Sequence, residues 1–120
     1  MGMAVFECRT EVAVTPEVLF DFMTRPANIA AIAPPDSQMV IVEAPEVLAP
    51  GAQLVFKVSA MGVTQQLIHE IVSLTRPEGF REQMVKGPMS SWVHDYVIER
   101  LDNGHAALLN RIEFEPPGGM

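Results

Sequence analysis

The sequence predicts an α+β domain in which one strand and two short helices precede a meander of six antiparallel strands. Apolar and polar residues alternate with a period of two through much of the chain after residue 39, which is typical of half-buried strands. Turn residues interrupt the alternation at short intervals, so neighbouring strands are expected to run antiparallel. At 120 residues the chain can bury one core, and we expect a single domain spanning residues 1–120.

The first strand and the two helices are predicted from the signals at their ends. A strand over residues 4–14 is followed by Thr15-Pro16-Glu17, in which a capping hydroxyl precedes proline and an acid. The first helix therefore begins at Pro16, and Arg25-Pro26 interrupts its spacing. A second helix is predicted over residues 27–33 and ends before Pro34-Pro35.

Six strands follow, separated by short segments rich in Gly, Pro, Asn and Asp. Such short links join antiparallel neighbours and leave no room for crossover helices. The strands are predicted over residues 39–44, 53–60, 63–74, 80–85, 91–101 and 106–115.

The composition excludes several classes of partner. The net charge is -7 and the eight Lys and Arg residues are scattered, so we expect no nucleic-acid partner. No apolar run approaches the ~20 residues that span a bilayer, and we expect no membrane insertion and a cytoplasmic location. Cys8 is the only cysteine, which excludes an intramolecular disulfide, and its strand setting predicts a buried, inert thiol.

The sequence lacks the common catalytic and cofactor motifs, namely GxSxG, HExxH, the P-loop and GxGxxG. His69 and His94 are expected about 10 Å apart on the sheet. That spacing is too wide for one metal, because Zn–N bonds are only about 2.0–2.1 Å long. We therefore expect no metal site and no cofactor.

Trp92, His94 and Tyr96 occupy every second position of one predicted strand. Alternate residues of a strand point to the same face, so an indole, an imidazole and a phenol share one surface. Most sheets bury aliphatic side chains at such positions. This face is therefore either a core with paired heteroatoms or the wall of a ligand cavity.

The turns predict which residues face one another. A last turn centred on Asn103 pairs Tyr96 with Asn110, His94 with Ile112 and Trp92 with Phe114, and it pairs Asp95 with Arg111 on the other face. A preceding turn centred near Met89 places Met84 beside His94 and Glu82 beside Tyr96, and the turn after Leu74 brings His69 towards Met84 and Ile71 towards Glu82. The predicted result is one polar row of Glu82, Tyr96 and Asn110, and a second row of His69, Met84 and His94.

Three stretches of the chain resemble the START-like, or SRPBCC, superfamily of polyketide cyclase/dehydrase-related domains. The opening Val12–Phe22 is similar to that of the family. Phe80, Glu82, Gln83, Lys86-Gly87-Pro88-Met89, Trp92 and His94 resemble the F-x-D-x-Q-x-x-G-P-F-x-x-W-x-H run of one small bacterial branch. Asn110, Ile112, Phe114, Pro116 and Gly118 match the ending of its last strand.

This resemblance implies a helix-grip fold, in which a curved seven-stranded antiparallel sheet wraps a long C-terminal helix around a cavity. The present sequence stops at residue 120, where relatives continue into that helix, so the long helix is absent from this chain. An uncovered sheet face leaves apolar side chains in water and loses the stabilising free energy of their burial. Either a second copy covers it in a homodimer or the chain is part of a longer protein, and both predict an exposed apolar face.

The resemblance implies a cavity on the concave face, and three functions follow. The first is binding of a small hydrophobic or aromatic molecule. The second is a polyketide cyclase/dehydrase-like enzyme in which Glu82, His94 and Tyr96 move protons, so whether the protein is an enzyme stays open. The third is an interaction subunit that assembles through the open sheet face. The expected ligand-binding residues are Phe80, Glu82, Met84, Trp92, His94, Tyr96, His69, Asn110, Ile112 and Phe114.

Overall fold

The structure, a computed structural model, describes residues 3–32, 39–60 and 62–117. The predicted α+β order is confirmed. The predicted helix end at Pro34-Pro35 and the motif residue Gly118 lie outside the described residues. The strands are β1 (Ala4–Val12), β2 (Met39–Glu43), β3 (Gln53–Ala60), β4 (Val63–Thr75), β5 (Gly79–Lys86), β6 (Ser91–Arg100) and β7 (Ala106–Glu115), and the helices are α1 (Pro16–Met23) and α2 (Pro26–Ile32).

All seven strands form one antiparallel sheet in the order β1-β7-β6-β5-β4-β3-β2. The meander runs outward from β7 to β2, and β1 adds to the free side of β7. The two edges of the sheet are therefore β1 and β2. Within the described residues no helix follows β7, and none of the helices is long and apolar enough to cross a bilayer.

Helix α1 begins at the predicted cap. The Thr15 hydroxyl accepts a hydrogen bond from the Val18 amide at 3.3 Å, Pro16 follows it, and Glu17 lies in the first turn. At the other end the Thr24 hydroxyl donates to the carbonyl of Phe20 at 2.9 Å. The two helix ends are thus satisfied by local side chains, which fixes the length of α1.

The core lies between α1 and one face of the sheet, which we call the concave face. Helix α1 contributes its buried apolar side chains, and the sheet contributes Ile71, which is fully buried, and its neighbours. Burial of this apolar surface is the main stabilising term. The core residues are Leu19, Phe20, Met23, Leu48, Leu54, Ile71, Phe80, Ile98 and Ala106.

The predicted register is right for β6–β7 and wrong for β5–β6. Tyr96 pairs with Asn110, His94 with Ile112 and Trp92 with Phe114, as expected. Glu82, however, pairs with His94 rather than Tyr96, and Phe80 takes the place beside Tyr96. The β5–β6 hairpin is centred on Pro88 instead of Met89, and its ladder ends at Gln83 and Val93. When the centre of a hairpin moves by one residue, every residue of one strand faces a partner two positions further along the other strand.

Two other expectations change, one on the strands β5 and β6 and one on the edge strand β1. Asp95 lies opposite Arg111 as predicted, but its ion pair is with Arg81, at 2.7 Å. The guanidinium of Arg81 is bidentate, with a second contact of 3.1 Å. Cys8 is exposed rather than buried, because none of the elements that the structure describes covers the concave side of the edge strand β1.

Replacing Ile71 by alanine tests the core. Ile71 has no exposed surface, so the cavity left behind is expected to lower the free energy of unfolding by about 2–5 kcal/mol. The matched variant Val97→Ala, at a side chain that is 45% exposed, is expected to cost less than about 1 kcal/mol. Urea unfolding followed by circular dichroism measures both, and equal losses would contradict this assignment of the core.

Candidate functional site

A cavity of about 320 Å³ lies between the concave face and the two helices. Its walls are mainly apolar and aromatic, and they include only three side chains with ionisable groups, His69, Glu82 and Tyr96. Strands β2 to β6, both helices and the β2–β3 connection contribute. The lining residues are Met23, Pro26, Ile29, Met39, Ile41, Leu48, Leu54, Phe56, Leu67, His69, Phe80, Glu82, Met84, Trp92 and Tyr96.

The structure brings six of the ten predicted ligand-binding residues into this cavity and leaves four outside it. The six are His69, Phe80, Glu82, Met84, Trp92 and Tyr96. The four are His94, Asn110, Ile112 and Phe114, which share the concave face but do not line the cavity. A binding role for any of the ten stays a prediction.

His69 and Glu82 form a buried pair in the cavity wall. They lie on the neighbouring strands β4 and β5, where His69 faces Met84 and Glu82 faces Ile71, so the two polar residues are diagonal neighbours. His69 Nδ1 makes a short hydrogen bond to Glu82 Oε2, and their side chains are 5% and 12% exposed. Because the carboxylate accepts, Nδ1 carries the proton.

Aromatic rings enclose the other side of the His69 imidazole. The ring of Phe56 meets it at right angles with 4.7 Å between centroids, and Trp92 lies at 4.6 Å. Nε2 is buried, and no described residue forms a hydrogen bond with it. A buried nitrogen without a partner carries a desolvation cost.

His94 is engaged by Asn110 rather than by the cavity. Its Nε2 lies 2.9 Å from Asn110 Oδ1, and since an amide oxygen accepts, Nε2 is the donor. Asn110 lies opposite Tyr96 in the ladder as predicted, but its side chain is hydrogen-bonded to His94. Burial lowers the pKa of His94 below its usual 6.5, and the hydrogen bond to Asn110 opposes that shift.

Tyr96 is the centre of a stack of rings along the concave face. Its ring stacks on His94 at 3.8 Å and on Phe80 at 4.3 Å between centroids. Burial raises its pKa well above the usual 10, and the charge of Glu82 adds to the rise. Tyr96 is consequently a neutral phenol at physiological pH. The predicted row of Glu82, Tyr96 and Asn110 does not form, because Glu82 stands beside His94.

Sequence reasoning missed the half of the cavity that lies on the helices and on β2 and β3. The alternation within β2 and β3 already places one set of their residues on a common face, but it does not say which face meets the helices. Met23, Pro26 and Ile29 are brought in by the docking of α1 and α2. The residues missed there are Met23, Pro26, Ile29, Met39, Ile41, Leu48, Leu54 and Phe56, and Leu67 of β4 was missed as well.

Comparison with known proteins identifies the fold. No family model and no curated protein matches the chain. Among solved structures, Panax ginseng major latex-like protein 151 has a TM-score of 0.71 at 20% identity, covering 95% of this chain and 80% of that one. Norcoclaurine synthase from Thalictrum flavum has 0.73 at 12% identity, covering 98% and 72%. A Staphylococcus aureus protein of unknown function has 0.73 at 13%, covering 93% and 69%.

These likenesses, all below 25% identity, show the fold alone. The chain has the START-like, SRPBCC fold that its sequence resembles, with a seven-stranded antiparallel sheet and two helices after the first strand. A shared fold does not fix an activity, so function has to be inferred from the site.

The position of His94 predicts a pH dependence of stability. The folded state holds His94 neutral below 6.5 while the unfolded chain takes up a proton, so the free energy of unfolding falls as the pH drops below about 6.5 and through the folded pKa. Imidazole NMR should show a His94 titration midpoint below 6.5, and the midpoint should fall further in Asn110→Ala. His94→Gln removes this signal and assigns it. A His94 midpoint above 6.5 would contradict the burial argument.

Proposed function

We propose that the protein binds a small hydrophobic or aromatic molecule in the cavity of the concave face. The observation that carries this proposal is a cavity of about 320 Å³ whose walls are almost entirely apolar and aromatic. Ligand sites of small molecules occupy about 300–1,000 Å³ and combine such walls with a few polar groups. The cavity suits a molecule of one or two fused or linked rings.

Three polar groups would orient the ligand. The Tyr96 phenol, held neutral by burial, offers a hydroxyl, and the carboxylate of Glu82 accepts hydrogen bonds. His69 is held in place by Glu82, and its Nε2 is free of described partners. A ligand with an apolar ring and a hydroxyl or amine at one end matches this distribution.

The structural likenesses support a small-molecule role without specifying the ligand. One structure of the same fold is a norcoclaurine synthase variant in complex with a transition-state analogue, with a TM-score of 0.75 and 10% identity. That protein shows that this kind of sheet and helix arrangement can hold a small molecule. For the present chain the class of ligand rests on its own cavity walls.

A second function, acid–base catalysis on a cavity-bound substrate, is favoured by the buried His69–Glu82 pair. The Glu82 carboxylate lies in the cavity wall, where it can reach a C–H or O–H group of a bound substrate, and His69 holds it in place. His94, proposed from the sequence as an acid–base group, is tied to Asn110 outside the cavity. Glu82 with His69 is therefore the stronger candidate, and Tyr96 supplies a neutral hydrogen-bond donor.

Filling the cavity should weaken binding of a neutral aromatic probe. N-phenyl-1-naphthylamine fluoresces on entering an apolar site. The fluorescence of Trp92, the only tryptophan, gives a second signal from the cavity wall. Leu67→Phe adds volume inside the cavity, and we expect a rise in Kd of about fivefold or more, since one or two misplaced carbons cost about 1–3 kcal/mol.

The matched control is Val97→Phe, which makes the same kind of enlargement at an exposed side chain of β6 that does not line the cavity. Its Kd is expected to stay within about twofold of the original value. Circular dichroism checks that both variants fold. Saturable binding that Leu67→Phe leaves unchanged would place the probe elsewhere and contradict the proposed site.

A proton-transfer probe tests the second function. The ring of 5-nitrobenzisoxazole opens when a base removes its C3 proton, the N–O bond breaks, and a coloured cyanonitrophenolate forms. If Glu82 is a base in the apolar cavity, the rate should saturate with substrate and fall by about tenfold or more in Glu82→Gln. An exposed carboxylate variant, Glu99→Gln, is the control and should keep the rate. A rate that is equal in Glu82→Gln and the original protein would rule out this base.

A further inference from the structure

The outer edge of β1 is a long, regular and unprotected strand edge. Its nine residues contain no proline, and its ladder to β7 runs from Ala4 to Val12 without a register shift. All its side chains except those of the two end residues are exposed. The opposite edge differs, because β2 has five residues and a register shift between Ile41 and Glu43. Short strands and bulges protect an edge from pairing, and β1 has neither.

We propose that β1 pairs antiparallel with β1 of a second copy of the chain, around a two-fold axis that passes Cys8. Backbone N–H and C=O groups that point away from β7 would then find partners, and two seven-stranded sheets would join into one. Because paired residues share a face, the two concave faces would lie on the same side. Neither cavity is lined by a residue of β1, so both stay open.

In this register the charged residues near the centre of β1 face residues of opposite charge on the second copy. Centring on Cys8 pairs residue 4 with residue 12 and so uses the whole of Ala4–Val12. It also places Glu7 opposite Arg9 of the second copy and Arg9 opposite Glu7 of the second copy. Directly facing residues of opposite charge stabilise an antiparallel pair, and the two-fold axis forms this pair twice.

Other two-fold registers are worse. Centring on Glu7 sets Glu7 against itself, and centring on Arg9 sets Arg9 against itself and Glu7 against Glu11, which are like-charge contacts. Centring on Thr10 allows Arg9 to face Glu11, but only residues 8–12 of the strand then overlap. Full overlap and charge complementarity thus coincide in the register centred on Cys8.

The side chains that this interface needs are accessible. Glu7 and Arg9 are 69% and 47% exposed. Glu7 contacts Arg111 at 3.7 Å, and Arg9 lies 2.8 Å from Glu11 on its own strand and 3.8 Å from Glu99 on β6. Exposed ion pairs of this kind are weak, so both side chains can turn towards a second copy.

Charge swaps test the register. Glu7→Arg and Arg9→Glu each replace both facing opposite-charge pairs by like-charge pairs, and each is expected to raise the dimer Kd by about tenfold or more. The double variant Glu7→Arg/Arg9→Glu restores both pairs and should return to the original Kd within about threefold. A mixture of the two single variants should form a heterodimer, since positions 7 and 9 are then both basic on one strand and both acidic on the other. Analytical ultracentrifugation measures all four samples, and circular dichroism checks folding.

Cys8 gives an independent chemical readout. Facing residues of an antiparallel pair have Cα atoms about 4.5–5.5 Å apart, within the range that a disulfide spans. Mild oxidation of the exposed thiol should therefore link the dimer covalently, and the yield should fall in each single charge variant and recover in the double variant. Cys8→Ser is the control. The proposal would be overturned if the protein stays monomeric, or if the dimer Kd is unchanged in both Glu7→Arg and Arg9→Glu. Either result is independent of whether the cavity binds a ligand.

Discussion

The constraint on which the rest of the structure depends is the limited cover over the concave face. Among the described residues, the cover over this seven-stranded face consists of the eight residues of α1, the seven of α2 and the β2–β3 connection. Helix α1 packs on β6 and β7, and α2 packs beside β2. Between these contacts the sheet curves away from the helices and leaves a lined space, and towards β1 it leaves side chains exposed. The cavity and the exposed side chains towards β1 both follow from this limited cover.

Polar groups inside the cavity wall are stabilised by one another. His69 and Glu82 share a hydrogen bond, so neither is isolated in an apolar surrounding. Burial raises the pKa of Tyr96, so its phenol stays neutral and no charge is buried there. Its ring packs between those of Phe80 and His94. Outside the cavity His94 and Asn110 satisfy each other. The wall therefore combines one hydrogen-bonded polar pair and a neutral phenol with accessible apolar surface, as the proposed ligand site requires.

The sequence predicted the elements and one face of the site, because those depend on local signals. The bounds of β3 and β7 and the start of α1 at Pro16 follow from alternation and capping. The Asn103 turn is tight and fixes the β6–β7 register. The connection around Pro88 is wider, so its centre could be misplaced by one residue, which gave Glu82 the wrong neighbour. The contribution of Met23 and Ile29 depends on how the helices dock, and no local pattern encodes that.

The central claim is that the cavity is the ligand site, and the methionines allow the most direct test. Met23, Met39 and Met84 line the cavity, whereas Met3 is exposed near the start of the chain. With the methionine methyl groups labelled with carbon-13, nuclear Overhauser effects from bound N-phenyl-1-naphthylamine report which methyl groups it touches. Binding in the cavity predicts contacts to Met23, Met39 and Met84 and none to Met3. Contacts to Met3 without contacts to the cavity methionines would contradict it.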